Sequence, residues 1–177
     1  MKIIKKRNEI ALINEFIKIL KIEAIKKKKA KKRLSFVLTG GPSPKRLYKK
    51  MVSSRIDWSN IDLFWGDERF VSKKSKKSNF NLVKKHLINK IDIKKRNIFA
   101  INTKKSNPFI SALDYERRVK KYFNNKKVCF DLILLGMGSD GHIASIFTEN
   151  INLKTNKIAS AISRDDFYRI TLNLRTI

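Results

Sequence analysis

Apolar residues recur every three or four positions near the start of the chain, at Ile10, Ile13, Ile17, Leu20 and Ala24. This spacing places them on one side of an α-helix, which we expect to run from about residue 8 to residue 30. Charged residues, mostly lysine, occupy many of the positions between them. The stripe therefore predicts a helix face that packs against a protein core.

Short apolar runs alternate with amphipathic stretches over the rest of the chain. The runs are bounded by Gly, Pro or polar residues, which favours β-strands. We predict strands over residues 34–38, 61–70 (running into a polar turn at 66–69), 97–101, 128–138, 157–162 and 168–174, with 128–138 as the central strand. We predict helices over residues 44–52, 78–88 and 107–123.

Two of these helices have recognisable apolar faces. Ser78 is a suitable N-cap for the helix at 78–88. The predicted buried residues are Phe80, Val83 and Leu87 in that helix, and Ile110, Leu113, Tyr115 and Val119 in the helix at 107–123.

Strands that alternate with helices predict an α/β fold with a mostly parallel sheet. Ligands of such sheets bind beyond the carboxyl ends of the strands. The polar segments 39–44, 66–69 and 136–142 each follow a predicted strand. We therefore expect them to converge on one crevice. Because the chain has neither internal repeats nor a Pro/Gly/Ser linker, we expect one domain over residues 1–177.

The charge balance is strongly basic. The chain has 42 Lys and Arg against 15 Asp and Glu, a formal net charge of +27. Clusters at 26–33 and 73–77 will attract polyanions at low salt. The lysines are spread along the whole chain, however, and no recognition module is visible. We therefore expect non-specific nucleic-acid binding at most, and a basic binding protein remains the alternative.

Cysteine content and hydropathy limit the kinds of site and the class of protein that this sequence can represent. The single cysteine, Cys129, excludes an internal disulfide, and we expect it to pack in the core. No Cys/His cluster indicates a zinc site. No run reaches the roughly 18 to 20 apolar residues that a membrane span needs. We expect a cytoplasmic protein with no membrane partner.

The segment TGGPSP at 39–44 joins a predicted strand to a predicted helix. Gly40 and Gly41 allow the backbone to approach a ligand closely. Amides at the helix start, with the hydroxyls of Thr39 and Ser43, suit a phosphate group. The spacing matches neither the P-loop nor the dinucleotide fingerprint, so nucleotide binding is not implied. A plain strand-to-helix turn is the alternative.

Three charged residues, Asp67, Glu68 and Arg69, follow the apolar run that begins at residue 61. A guanidinium forms paired hydrogen bonds with a phosphate or a carboxylate. One carboxylate could fix the orientation of Arg69 while the other meets substrate hydroxyls. The alternative is a salt-bridge cluster at the end of a strand.

One of the two histidines, His142, lies in a glycine-rich turn directly after an apolar run. Imidazole has an ordinary pKa of about 6.5, which suits proton transfer from water. Asp140 could align the ring or cap the next helix. We expect Gly136, Gly138 and Gly141 to leave amides free for a developing oxyanion. A purely structural histidine is the alternative.

Six segments resemble, in order and spacing, the 6-phosphogluconolactonases: TGGPSPKRLY, IDLFWGDERFV, SNFNLVKKHL, DYERRV, FDLILLGMGSDGHIASIF and YRITLNL. The similarity extends from about residue 10 to the last residue, and GDER and GMGSDGH are its most specific parts. That family shares a fold group with glucosamine-6-phosphate deaminases, ribose-5-phosphate isomerases and CoA transferases. The resemblance implies a Rossmann-like three-layer α/β/α sandwich with a mostly parallel sheet.

The resemblance also implies hydrolysis of 6-phospho-D-glucono-1,5-lactone to 6-phosphogluconate in the oxidative pentose phosphate pathway, without metal or organic cofactor. His142 would be the general base, and Asp140 would hold its imidazole. Phosphate and sugar contacts would come from Thr39, Gly40, Gly41, Ser43, Arg69, Asn79 and Gly138. Asp67 and Glu68 would order the site or meet sugar hydroxyls.

Two alternatives accompany this resemblance. The deaminases carry an additional Glu five residues beyond the histidine, where this chain has Phe147. An isomerase would also need a carboxylate base, for which Asp67 is the available residue.

The lactonase family continues past the strand equivalent to 168–174, with a segment whose lysine helps to bind phosphate. We therefore expect a C-terminally truncated relative, either marginally stable, reliant on a partner or inactive.

Overall fold

The computed structural model describes residues 3–150, 155–164 and 167–177. In chain order the helices are α1 (Glu9–Lys29), α2 (Lys45–Val52), α3 (Asn79–His86) and α4 (Pro108–Tyr122). The strands are β1 (Leu34–Leu38), β2 (Ile61–Trp65), β3 (Asp67–Arg69), β4 (Ile98–Phe99), β5 (Leu132–Ile133), β6 (Ala159–Arg164) and β7 (Phe167–Leu172). Within these three ranges no helix is long and apolar enough to cross a membrane.

The main sheet is parallel and has the strand order β4-β2-β1-β5. In its centre, Phe36 of β1 pairs with Leu63 of β2, and Val37 pairs with Phe64. Every residue of β1 and β2 is buried. Burial on both faces is typical of parallel strands that are covered by helices on both sides.

Helices do cover both faces of this sheet. Phe16 of α1 contacts Phe36, with 5.9 Å between ring centroids. Phe64 points to the opposite face, because its partner Val37 follows Phe36 by one residue. There Phe64 contacts Tyr122 of α4, with 4.9 Å between ring centroids. The α/β fold with a mostly parallel sheet is confirmed.

A second, antiparallel sheet has the order β3-β7-β6. Residues 67–69 therefore form its first strand, and the prediction of a polar turn at 66–69 is wrong. Gly66 joins the two sheets: its N–H donates to the Leu38 carbonyl at 2.9 Å, and its carbonyl accepts from the Leu172 N–H at 2.8 Å. The strands predicted at 157–162 and 168–174 are present as β6 and β7.

The segment 128–138 is not the central strand that the sequence predicts. Only Leu132 and Ile133 form β5, and β5 lies at the edge of the main sheet. One reason is local: the Asp131 side chain accepts hydrogen bonds from both the N–H and the hydroxyl of Ser35, each at 2.9 Å. The Ser35 N–H is thus bonded to a side chain rather than to a backbone carbonyl of the 128–138 segment. Cys129, expected in the core, is exposed.

The helices lie close to their predicted bounds, but two apolar faces differ. In α1, Ile10 is exposed because the packed part of the stripe begins further along the helix. In α4, Ile110 and Leu113 are exposed. The face of α4 that packs on the core comprises Ala112, Tyr115 and Val119. In α3, Val83 is buried as predicted, and so is Leu87 just beyond the helix.

Candidate active site

Segments that follow β1, β2 and β5 line one cavity of about 200 Å³. Its lining combines the first polar segment (39–43), residues of the second (Asp67, Arg69) and residues of the third (Gly136, Met137, Gly138, His142), with Asn79, Ala144 and Arg169. The three segments converge, as the parallel sheet predicts. The described residues contain no group of three or more His, Cys, Asp or Glu side chains that could hold a metal ion.

His142 lines this cavity and forms a hydrogen-bonded pair with Asp140. Nδ1 of His142 lies 2.5 Å from Oδ1 of Asp140. This hydrogen bond holds the pKa of Asp140 below its ordinary value. The His142 ring also contacts the buried ring of Phe147, with 4.4 Å between centroids. With Nδ1 engaged, Nε2 of His142 is the ring nitrogen that remains for proton transfer.

Two backbone hydrogen bonds lie within the 136–142 turn. The N–H of Gly138 donates to the His142 carbonyl at 2.8 Å, and the N–H of Gly141 donates to the Gly138 carbonyl at 3.0 Å. The amides of Gly138 and Gly141 are therefore not free for an oxyanion, contrary to the sequence prediction. Gly141 has φ +82°, a left-handed conformation that suits glycine.

Gly138 instead provides space for the histidine. A Cβ atom at this position would lie 2.3 Å from the His142 ring and 2.6 Å from Oδ1 of Asp140. Gly138 thus lets the imidazole and the carboxylate lie against the backbone of the turn.

Arg69 projects from β3 into the same cavity. Its Nη1 donates to the Lys77 carbonyl at 2.9 Å, which fixes one side of the guanidinium. Its buried Nε has no hydrogen-bond partner in the described part of the chain. A buried donor without an acceptor is costly, so this position favours a ligand that brings an acceptor oxygen.

Asn79 begins α3 and reaches the cavity from below Gly40. Its Nδ2 donates to both the carbonyl and Oδ1 of Asp67, each at 3.0 Å. Its buried Oδ1 has no partner among the residues described. A Cβ atom on Gly40 would lie 1.8 Å from that oxygen, so the close approach of Asn79 requires glycine there. The site thus presents an unpaired acceptor as well as an unpaired donor.

Asp67 lies beneath this cavity and is almost fully buried. Oδ1 accepts from Asn79, and Oδ2 accepts from the Ser145 hydroxyl at 2.7 Å. Burial raises its pKa, and the Ser145 hydrogen bond and the positive charges of Arg69 and Arg169 oppose that rise. Since both carboxylate oxygens are engaged by side chains, Asp67 is placed to connect the elements of the site.

Glu68 does not line the cavity, which corrects its predicted contact with the sugar. Its side chain points to the other face of β3 and is buried. The carboxylate accepts from the N–H groups of Asn79 and Phe80, both at 2.7 Å, and from the Ser78 hydroxyl at 3.1 Å. Glu68 therefore caps α3 and orders the site through Asn79. Burial raises its pKa.

The turn at 39–44 is fixed by Tyr48 of α2, whose hydroxyl donates to the Thr39 carbonyl at 2.5 Å and accepts from the Thr39 N–H at 3.2 Å. Gly41 has φ +81°, in the left-handed region. Pro42 and Pro44 have no N–H, so they offer no backbone donors at the start of α2. Thr39 and Ser43 both line the cavity.

The site also includes Ser145, Phe147 and Arg169, whose contacts the sequence pattern does not predict. Arg169 lies in β7 directly opposite Arg69 in β3. The apolar alternation at 168–174 predicts a strand, but it does not predict the strand's partner. Ser145 and Phe147 belong to the GSDGHIASIF motif. Their roles follow from their contacts, of Ser145 with Asp67 and of Phe147 with His142.

Comparison with known proteins identifies the family of the chain. Residues 7–177 match the family described as Glucosamine-6-phosphate isomerases/6-phosphogluconolactonase. The chain belongs to this family. A 6-phosphogluconolactonase from Nostoc sp. is 36% identical over 144 residues, which cover 78% of this chain and 60% of that relative. The chain thus spans about 60% of the length of this family member.

Solved structures of the family have the same fold. The 6-phosphogluconolactonase from Trypanosoma cruzi superposes with a TM-score of 0.84 at 26% identity, over 99% of this chain and 75% of that one. A monomeric glucosamine-6-phosphate deaminase superposes with a TM-score of 0.85 at 18% identity, over 100% of this chain and 78% of that one. The fold alone therefore does not distinguish the two activities.

Proposed function

We propose that residues 1–177 form a phosphosugar domain that hydrolyses 6-phospho-D-glucono-1,5-lactone to 6-phosphogluconate. The observation that carries this proposal is that His142, which is hydrogen-bonded to Asp140, lines the same cavity as Arg69. A proton acceptor and an anion-binding group thus share a space of about 200 Å³. Relatives named 6-phosphogluconolactonase, such as the one from Nostoc sp., support the choice of substrate.

In this proposal His142 acts on a water molecule at the lactone carbonyl. Nε2 takes a proton as the water oxygen bonds to C1, and negative charge develops on the carbonyl oxygen. The ring C1–O bond then breaks, and the imidazolium returns the proton to the leaving ring oxygen. Asp140 accepts a hydrogen bond from Nδ1. This bond favours the tautomer with its proton on Nδ1, which leaves Nε2 as the base, and it stabilises the imidazolium. A lactone is an activated ester, so one positioned base is sufficient.

The phosphate end of the substrate would lie at Arg69. The partnerless Nε of Arg69 would donate to a phosphate oxygen. The hydroxyls of Thr39 and Ser43, with the backbone of Gly40 and Gly41, would surround the same group. The partnerless Oδ1 of Asn79 would accept from a sugar hydroxyl.

We infer that Asp67 is a positioning residue rather than a base. Both of its oxygens already accept hydrogen bonds, from Asn79 and Ser145. This also disfavours an aldose–ketose isomerase or deaminase, because a base at C2 needs a free carboxylate. A cytoplasmic location, the pentose phosphate pathway and at most non-specific nucleic-acid binding remain predictions.

Lactone ring opening by purified variants tests the proposal. We expect His142→Gln to lower kcat by about 10² to 10⁴, the usual contribution of a general base. His86→Gln is the matched control, since His86 is the chain's other histidine and does not line the cavity. Wild-type turnover in His142→Gln, or no turnover above background in the wild-type chain, would remove the proposal.

A second pair of variants tests the phosphate end. We expect Arg69→Gln to raise KM with a smaller change in kcat, because the phosphate is bound in both the ground state and the transition state. Arg175→Gln is the control, since Arg175 is exposed and lies outside the cavity. An unchanged KM in Arg69→Gln would place the phosphate elsewhere.

A further inference from the structure

Two arginines face the cavity side by side. In the antiparallel pair of β3 and β7, Arg69 lies directly opposite Arg169, and Asp67 lies directly opposite Thr171. Directly opposite residues project from the same face of a sheet, and alternate residues share that face. All four side chains therefore point to the face that carries the cavity, and both arginines line it.

This arrangement concentrates positive charge. Like charges that are directly opposite in a sheet destabilise it. Asp67 lies near both guanidinium groups, and each of them counteracts the rise in its pKa that burial causes. Asp67 carries at most one negative charge beside these two guanidinium groups. An anion in the cavity would add negative charge beside them.

The two guanidinium groups are held by different contacts. Arg69 is fixed by the Lys77 carbonyl and keeps a buried Nε without a partner in the described ranges. The guanidinium carbon of Arg169 lies 5.4 Å from the centre of the Phe147 ring. Both groups are therefore partly oriented before any ligand binds, which lowers the entropy cost of binding.

We propose that Arg69 and Arg169 together bind the phosphate of the substrate as a two-guanidinium site. This inference rests on the proposed function for the identity of the ligand. A phosphate monoester carries a charge close to −2 at neutral pH and has three acceptor oxygens, so it can accept from two guanidinium groups at once. The lactone end of the substrate is neutral before ring opening, so the phosphate is the group that supplies the charge.

Calorimetric titration with 6-phosphogluconate and with inorganic phosphate tests this inference. We expect Arg169→Gln to weaken binding of both ligands about tenfold or more, the usual effect of losing a hydrogen bond to a charged group. Arg169→Lys keeps the charge but loses the fork, and should recover part of the loss. Arg175→Gln should bind within about twofold of the wild type.

Several outcomes would overturn the inference. The first is that Arg169→Gln binds both ligands with an affinity within twofold of the wild type. The second is that this variant loses kcat while its affinity is unchanged. A chain that binds neither ligand also overturns it. A chain that lacks lactonase activity but binds inorganic phosphate through Arg169 keeps the two-guanidinium site and discards the proposed reaction.

A spectroscopic readout on the wild-type chain covers the case in which Arg169→Gln does not fold. Arginine Nε–H resonances move when an anion binds. We expect the Nε–H signals of Arg69 and Arg169 to shift along the same titration curve as inorganic phosphate is added, while that of Arg175 stays in place. A shift of the Arg69 signal alone would refute the shared site.

Discussion

The Ser145 hydroxyl donates a 2.7 Å hydrogen bond to Oδ2 of Asp67, and both residues are buried. Ser145 follows the turn that carries His142, whereas Asp67 begins β3. The Ser145 N–H donates to the Thr171 hydroxyl of β7 at 3.2 Å. The turn that carries His142 is thus attached to the second sheet, which also carries both arginines. This attachment sets the distance between the two ends of the proposed substrate site.

Ser145→Ala should therefore reduce both stability and activity. The substitution leaves Oδ2 of Asp67 buried without its donor, which costs about 1–3 kcal/mol in the free energy of unfolding. We also expect kcat to fall, because the His142 turn loses the hydroxyl bond and keeps only the backbone bond to Thr171. Urea unfolding measures the first effect and lactone ring opening the second. Ser139→Ala, at an exposed position in the same turn, is the control and should change stability by less than about 0.5 kcal/mol. Equal stability of the two variants would contradict the role given to Ser145.

Gly138→Ala should displace the imidazole. The added Cβ would lie 2.3 Å from the His142 ring, so the ring must move. A displacement of about 1 Å lowers the rate about 100-fold when it separates a base from its substrate. Gly136→Ala is a matched control in the same turn, because its Cβ would approach the Thr39 hydroxyl only to 3.7 Å, an ordinary contact. Similar kcat values for the two variants would show that the position of the ring is not limiting.

Asp140→Asn should change the tautomer of His142. The Asp140 carboxylate accepts from Nδ1, so ¹⁵N NMR of the wild-type chain with neutral His142 should show a proton on Nδ1 and none on Nε2. The Asn side chain can also donate to the ring, so the variant should show a mixture of both tautomers, with a lower kcat. A wild-type spectrum in which Nδ1 carries no proton would contradict the assignment of Nε2 as the base.

The ion pair of Asp57 with Lys28 predicts a pH dependence of stability far from the site. Hydrogen bonds from Lys28 and Ser59 lower the pKa of Asp57 to about 2. A lowered carboxyl pKa contributes stability that is fully present above the ordinary value near 4 and is lost as the pH falls toward 2. In urea unfolding, the stability difference between wild type and Asp57→Asn should therefore shrink from pH 4 to pH 2. A constant difference over this range would refute the prediction.

Much of the fold can be predicted from local patterns. The apolar run at 34–38 gives β1 with its observed bounds, and the periodicity at 8–30 gives α1 within a residue at each end. The inward face of α4 could not be chosen in this way, because Leu113 and Ala112 fit the apolar spacing about equally well. Packing against the sheet decides it in favour of Ala112.

The site was only partly predictable, for a similar reason. The convergence of the three polar segments follows from the parallel topology, so the sequence predicts that Arg69 and His142 share a cavity. The roles of Arg169 and Glu68 depend on strand pairing across long separations. The role of Arg169 follows from its position opposite Arg69 in the paired strands. The role of Glu68 follows from its hydrogen bond to the N–H of Asn79, where α3 begins. No local pattern encodes either contact.

A crystal structure of the chain with 6-phosphogluconate is the most direct test of the central claim, that a single bound phosphosugar spans from Arg69 to His142. We predict that the phosphate oxygens lie within hydrogen-bond distance of the Arg69 guanidinium, and that the C1 carboxylate lies beside Nε2 of His142. A sugar bound with its phosphate at the His142 turn, or bound outside this cavity, would contradict the account.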